Sequence, residues 1–377
     1  MKLYEYIIRR LILMVFVLFA VSVIVFYLTR GPLPPGSVLA PYISPRMNDI
    51  EKLQLAQSLG VATPSCASFS DFTSRAPGCI VPLWSQYFSW LKQVFSGNWG
   101  YSQIPGIGVG LTTWQLFIDR FPFTAELAIA GALLTVIVAI PLGIVSATHN
   151  NKAPDHASRI VALTGYSMPI FWLGFLLQIA FVIYITVPRG PYQVGLLQSN
   201  GVLSTNCGIC IANPGNAPPP ITGMPVIDSL LAGNLAYFWD SFVALILPTI
   251  TLSFATLGAL TRVVRSSMME CLRQDYILLA RSKGIKERSV VYKHALKNAM
   301  LPAITITGLI FAALLGGVVI VEYIFSWPGV GAAALQASLY LDVNFLELYT
   351  LVTALIIVVS NLGVDVLYAF IDPRIRY

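Results

Sequence analysis

Few residues in this chain have the type and spacing that covalent or acid–base chemistry needs. Its three histidines, His149, His156 and His294, stand alone, and no HExxH pair occurs. There is no GxSxG elbow, and no GxxxxGK(S/T) loop that would let the chain itself hold ATP by that route. The cysteines are Cys66, Cys79, Cys207, Cys210 and Cys271. The first four permit three pairings. Two local disulfides bracing loops are favoured over a metal site, because Cys207 to Cys210 is a single CxxC and Cys66 and Cys79 lie thirteen apart. Redox work at that CxxC would call for a βαβ setting that the sequence lacks. The densest functional signal is basic: nine Lys and Arg fall between Arg262 and Lys297.

The elements that position these residues are membrane helices. Only 11% of the 377 residues are charged, 56% are hydrophobic and the mean hydropathy is +0.74. A soluble domain carries roughly 25% charged residues, so a watery surface of this size cannot be covered. Disorder is excluded by the same apolar content. Six continuous apolar runs approach the roughly 20 residues that cross a bilayer: Ile12 to Leu28, Phe123 to Ala147, Ile160 to Val187, Phe242 to Leu260, Leu301 to Val321 and Phe345 to Ala369. Because they do not alternate, the expected fold is an all-α integral membrane protein with six transmembrane helices. The first run is read as a retained anchor, since no small-x-small cleavage site follows it.

With the amino terminus placed in the cytoplasm, sixteen of the 23 Lys and Arg fall on the inner side, mostly in short loops. Both termini are therefore expected to be cytoplasmic. The chain then divides into an anchor helix (1–30), an extracytoplasmic segment (31–121) and a five-helix core (122–377). That core carries an outer loop at 188–235 and a cytoplasmic loop at 263–300. Helices are expected around Asn48 to Leu59 and Trp84 to Phe95, whereas Pro188 to Leu235, rich in Gly, Pro and Asn, reads as loop. The two long outer segments are expected to form a small extracytoplasmic cap.

The inner loop reads as helix, glycine, helix. Gly284 stands where a left-handed residue ends the first helix, with Arg281 and Lys283 beside the negative end of its dipole. The second helix is expected over Ile285 to Met300, and Pro302 to open the next span. Such a basic stretch is also what anionic lipid attracts.

Asp275-Tyr276-Ile277-Leu278-Leu279-Ala280-Arg281-Ser282-Lys283-Gly284, continuing through Tyr292 to Pro302, resembles the coupling loop of ABC-transporter permeases. The resemblance is to the dipeptide/oligopeptide/nickel branch, first permease of the pair. Ile8-Arg9-Arg10-Leu11, Gly97 to Ser102, Pro122 to Leu127, Met168-Pro169-Ile170-Phe171-Trp172-Leu173-Gly174, Val321 to Gly331 and the tail from Val364 to Arg376 agree in order. Leu278 and Leu279 depart from the generic Glu-Ala, and Asn98 replaces an Asp. Ser65 to Val81 and Leu197 to Met224 look like insertions.

This resemblance implies a non-catalytic permease subunit of an ATP-driven importer for di- or oligopeptides, in the cell membrane. Its partners would be a second homologous permease, two ATPase subunits or domains and an extracytoplasmic solute-binding protein; no nucleic acid is involved. No cofactor is expected in this chain, with ATP and Mg held by the ATPase subunits. Asp275, Tyr276, Ala280, Arg281, Lys283, Gly284 and Ile285 would form the coupling loop, with Ala280 and Gly284 letting it sit close in the ATPase. Met168, Pro169, Phe171, Gly316 and Gly317 are candidate path-lining or hinge residues. The competing readings are import of oligosaccharides or nickel, an ion-coupled secondary transporter, or a membrane docking scaffold. Ion coupling would use intramembrane charges. Glu126, Glu347 and Asp365, all near span ends, are instead read as interfacial or capping carboxylates.

Overall fold

Apolar runs without alternation must satisfy their backbone groups within each segment, and helices do so. The computed structural model describes residues 3–44, 46–184, 186–189, 192–195, 218–315 and 318–371. Its helices are α1 (Leu3–Arg30), α2 (Asp49–Ser58), α3 (Phe69–Thr73), α4 (Leu83–Phe95), α5 (Thr113–Thr148), α6 (Ala153–Ser167), α7 (Ile170–Gln178), α8 (Pro225–Leu231), α9 (Leu235–Cys271), α10 (Asp275–Ser282), α11 (Leu296–Leu315), α12 (Val319–Ile324), α13 (Val330–Leu339) and α14 (Val343–Ile371). Five of these are long and apolar enough to cross a membrane, and α6 with α7 make a sixth if that bent pair is one span.

The third apolar run is thus not a straight helix. Its two arms meet at 98°. Pro169 supplies no N–H and pushes the preceding residue out of the helical region, and Met168 is accordingly extended (φ −82°, ψ 125°). The loop expected at 188–235 also contains regular structure. A hairpin of β1 (Thr186–Arg189) and β2 (Tyr192–Gly195) pairs antiparallel, and α8 follows. Cys207 and Cys210 lie outside the described residues, as do Gly316 and Gly317.

Pro302 also departs from its expected place. It does not open a span but lies inside α11, which runs on from a turn at Glu287–Ser289 and a π-helical stretch at Val290–Ala295. The buried stripe Val290, Val291, Ala295, Ala299 and Ala303 continues through it without a break, so packing holds the helix together across the missing hydrogen bond.

The chain's internal contacts sort into two compact units. One comprises Met1–Ile8, Pro122–Gly331 and Ile356–Tyr377, the other Arg9–Phe121 and Ala332–Leu355. In the second unit, α2 starts at a capping box between Asn48 and Glu51, and α4 buries Tyr87 and Trp90 against Phe26. Cys66 and Cys79 form a disulfide inside a small core with Leu39, Ala56 and Phe72. Ser102 Oγ donates to Asp342 Oδ2 (2.6 Å), which places the Gly97–Ser102 motif against the turn before α14. Glu347 is ion-paired there: Arg30 Nε and Nη2 donate to its two oxygens at 2.7 and 2.9 Å.

Candidate functional site

The first unit presents the 272–289 loop at one end of its long helices. Two buried faces put it there. Ile277 and Ala280 of α10 join Val290, Val291 and Ala295 in a core shared with Ile144 and Ala147 of α5 and with Leu260, Val264 and Met268 of α9. Ile277 is fully buried, which stabilises the loop by about 1.5–3 kcal/mol relative to an exposed side chain. Asn298 Nδ2 donates to the Tyr276 hydroxyl (3.0 Å) and ties α10 to α11 as well. The loop is therefore packed as part of the helix bundle.

Gly284 ends α10 as the sequence requires. Its φ is +72°, Gly284 N–H donates to Arg281 O (2.9 Å) and Ile285 N–H to Ala280 O (3.3 Å). These are the paired bonds of a Schellman cap. Arg281 turns across the cap to Glu287, with Nη2 to Oε1 at 2.6 Å and Nε to Oε2 at 3.1 Å. That carboxylate holds the Arg281 guanidinium above its ordinary pKa. Asp275 lies in the first turn of α10, Lys283 is its C-cap and Ile285 packs at the edge of the core.

The outward face differs from the expected one. Ala280 is buried, so it seats the loop on the helices and offers nothing to a partner. The motif alone assigns it to the partner-facing side, but on α10 it falls three residues after Ile277, on the same inner stripe. The outer face instead carries Tyr276, Leu278 and Leu279, exposed by 39%, 65% and 57%. Adjacent exposed leucines on an eight-residue helix form an apolar ridge rimmed by Asp275, Arg281 and Lys283. The sequence did hold this signal, since Ile277 and Ala280 define one face and the leucines fall on the other.

Beyond the loop, Met168 and Pro169 form the break between α6 and α7, and Phe171 is 48% exposed just past it. Gln178 Nε2 donates to Ile324 O (2.8 Å) and fastens α7 to α12.

A buried carboxylate that the sequence reading used only as part of a motif is Glu322. Thr124 Oγ1 donates to Glu322 Oε1 (2.7 Å), and Val330 N–H donates to Thr124 Oγ1 (2.9 Å). Trp327 Nε1 donates to Phe123 O (2.8 Å). Gly329 lies so close that a Cβ there would collide with the Glu322 carboxyl and the Thr124 hydroxyl. The Glu322-to-Gly331 motif is thus a folded clasp on the start of the second apolar run. Glu126 accepts from Val226 N–H (2.8 Å) at the start of α8, so it acts as a cap. The side chain of Asp365 lies outside the described residues.

Residues 139–377 match the family of binding-protein-dependent transport system inner membrane components. The chain belongs to that family. It is 34% identical over 372 residues to the dipeptide transport system permease protein DppB of Alkalihalophilus pseudofirmus, with 99% of each chain covered. It is 36% identical over 300 residues to the DppB of Escherichia coli strain K12, covering 80% of this chain and 83% of that one. The oligopeptide transport system permease protein AppB of Bacillus subtilis strain 168 is 29% identical over 372 residues, with 99% of each chain covered. The matched region contains the Glu322-to-Gly331 motif, the bent pair and the 272–289 loop. As a member of this family with several spanning helices, the protein is a multi-pass membrane protein.

Proposed function

We propose that this chain is the permease subunit of an ATP-driven importer for di- or oligopeptides, forming half of a translocation path with a second, homologous permease. Separate ATPase subunits, which hold ATP and Mg, dock on the 272–289 loop; an outer solute-binding protein delivers the solute. The lysine and arginine distribution supports placing this loop and both termini in the cytoplasm. The names of the relatives support peptide as the solute.

The observation that carries the reading is the two-faced α10. Tyr276, Leu278 and Leu279 are exposed for a partner, while Ile277 and Ala280 belong to the core of the long helices. A push on the ridge is transmitted to α5, α9 and α11 through close-packed side chains rather than a soft linker. Closure of the ATPase pair would then swing the helices of each permease as a rigid body, alternating the opening of the path. The chain contributes no catalytic residue to this cycle.

The test is reconstitution of the whole transporter with its solute-binding protein in liposomes. ATP-dependent uptake of a labelled dipeptide is expected. The Leu278→Asp/Leu279→Asp double variant should insert normally yet lose ATPase copurification and uptake. Normal copurification of that variant would remove α10 as the docking element. Uptake of an oligosaccharide or nickel in place of peptide would reassign the solute.

A further inference from the structure

Helix α4 of the second unit has two apolar faces, and only one of them is covered. Tyr87 and Trp90 are buried on α1. Their rings each lie 5.3 Å from that of Phe26, and the Tyr87 and Ser22 hydroxyls share a hydrogen bond of 2.8 Å. The other face is bare among the described residues: Trp84, Phe88 and Phe95 are exposed by 62%, 60% and 84%. At 3.6 residues per turn these three and the partly buried Leu91 fall within about 60° of one another. They make one continuous stripe along the helix.

The contacts of α4 fix the direction in which this stripe points. Gln86 and Gln93, on the opposite side, line a small polar cavity with Arg30, Tyr42 and Leu59, so that side meets the extracytoplasmic segment. Around the helix from Gln86 comes Trp90, against Phe26, and then Tyr87, against Ser22 and Phe19 (ring centroids 6.4 Å apart). The partners on α1 thus descend from its end into its apolar run. Ser22 lies six residues inside Leu28, about 9 Å down the axis. The stripe comes next in that rotation, beyond Tyr87. Below it, on the side of α1 that carries Ser22 and Phe26, the exposed residues are Phe19, Val15 and Ile12. That helix is long and apolar enough to cross the membrane.

We propose that α4 is an interfacial helix, with the Trp84, Phe88, Leu91 and Phe95 stripe buried in lipid at the boundary between headgroups and acyl chains. Lipid is the occupant because the stripe opens directly above the bare apolar side of a spanning helix. Aromatic rings with a polar flank suit that boundary. Exposed Lys92 borders the stripe, where its stem can lie along apolar surface while its ammonium reaches lipid phosphate. Under the topology proposed above, the leaflet is the outer one. Seated in this way, α4 ties the height of the extracytoplasmic segment to the bilayer surface. The inference rests on α1 crossing the membrane and is independent of the solute and of the ATPase.

The test places p-benzoylphenylalanine at Phe88, Phe95, Ser89 or Val15, one position at a time, in the whole transporter reconstituted in phosphatidylcholine liposomes. All four side chains are exposed, so the replacements leave the core untouched. After irradiation the chain is read by mass spectrometry. A mass increase of one phosphatidylcholine is expected at Phe88 and Phe95, as at Val15 within the span, and none at Ser89 on the polar side. Crosslinking of Phe88 and Phe95 to another subunit or to the solute-binding protein would make the stripe a protein interface and overturn the inference. Absence of any adduct at both positions, with Val15 still capturing lipid, would leave the stripe in water and overturn it equally.

Discussion

Gly284 offers the sharpest test of the loop, because its conformational demand and its surroundings separate cleanly. At φ +72° an L side chain pays about 1–2 kcal/mol, but a Cβ built there meets nothing within 4 Å. Gly284→Ala therefore carries the backbone cost alone, and Gly284→Asn less, since Asn visits this region more readily. Gly284→Pro is of another order. Its φ is held near −65°, its missing N–H removes the bond to Arg281 O, and the Ile285 bond to Ala280 O depends on the same left-handed turn. Two capping bonds at about 0.5–1.5 kcal/mol each are lost and the exit direction of α10 changes. The spans keep their own core, so insertion should survive. ATP-dependent dipeptide uptake in liposomes is expected to fall in the order Asn, Ala, Pro, with Pro inactive, while ATPase copurification drops in parallel. Gly284→Trp separates fold from docking: in the free chain it should cost no more than Ala, yet it should block a partner that approaches the cap. Full uptake by Gly284→Pro would refute the coupling role, and equal losses in Asn and Pro would show crowding rather than backbone geometry.

Four further outcomes are expected. Arg30→Ala should strand the Glu347 carboxylate and destabilise the detergent-solubilised protein by about 3–5 kcal/mol, while Arg30→Met/Glu347→Leu recovers most of the loss in a thermal melt. Gly329→Ala should lower the melting temperature through overpacking against Glu322 and Thr124, about 1–3 kcal/mol, with little change if the clasp can open. Removing the Cys66–Cys79 bridge, which closes a 13-residue separation, should cost about 3 kcal/mol locally and speed proteolysis between Ser65 and Val81 without preventing insertion. Glu126→Gln keeps an oxygen to accept from Val226 N–H, so uptake should persist with unchanged ion dependence; loss of uptake in an intact, ATP-hydrolysing assembly would favour an ion-coupled carboxylate instead.

The spans were legible because crossing a bilayer leaves a mark in every residue of a segment, and Gly284 because a single backbone demand selects a single residue type. Ala280 was misplaced because a motif aligns residues along the chain, whereas burial is decided around the helix, where Ile277 and Ala280 share a stripe. Pro302 misled for a related reason. A proline signals a helix boundary locally, but the buried stripe from Val290 to Ala303 overrides it. Glu322 and Asp155 stayed hidden because their partners, Thr124 in one case and Arg265 in the other, are far away in sequence.

The placement of ionisable groups bears on where the driving force enters. Glu347 is held by Arg30, Asp155 by Arg159 and Arg265, Glu322 by Thr124, and Glu126 caps α8 through one oxygen. Each is spent on joining one element to another. A carboxylate that fastens two helices through short hydrogen bonds cannot release its charge in each cycle without loosening the joint it makes. In the proposed cycle, joints of this kind suit helices that move together within one unit, and such a unit takes its force at a surface. The Tyr276–Leu279 ridge, seated on the common core of α5, α9 and α11, is a surface where that force can act on all three helices at once.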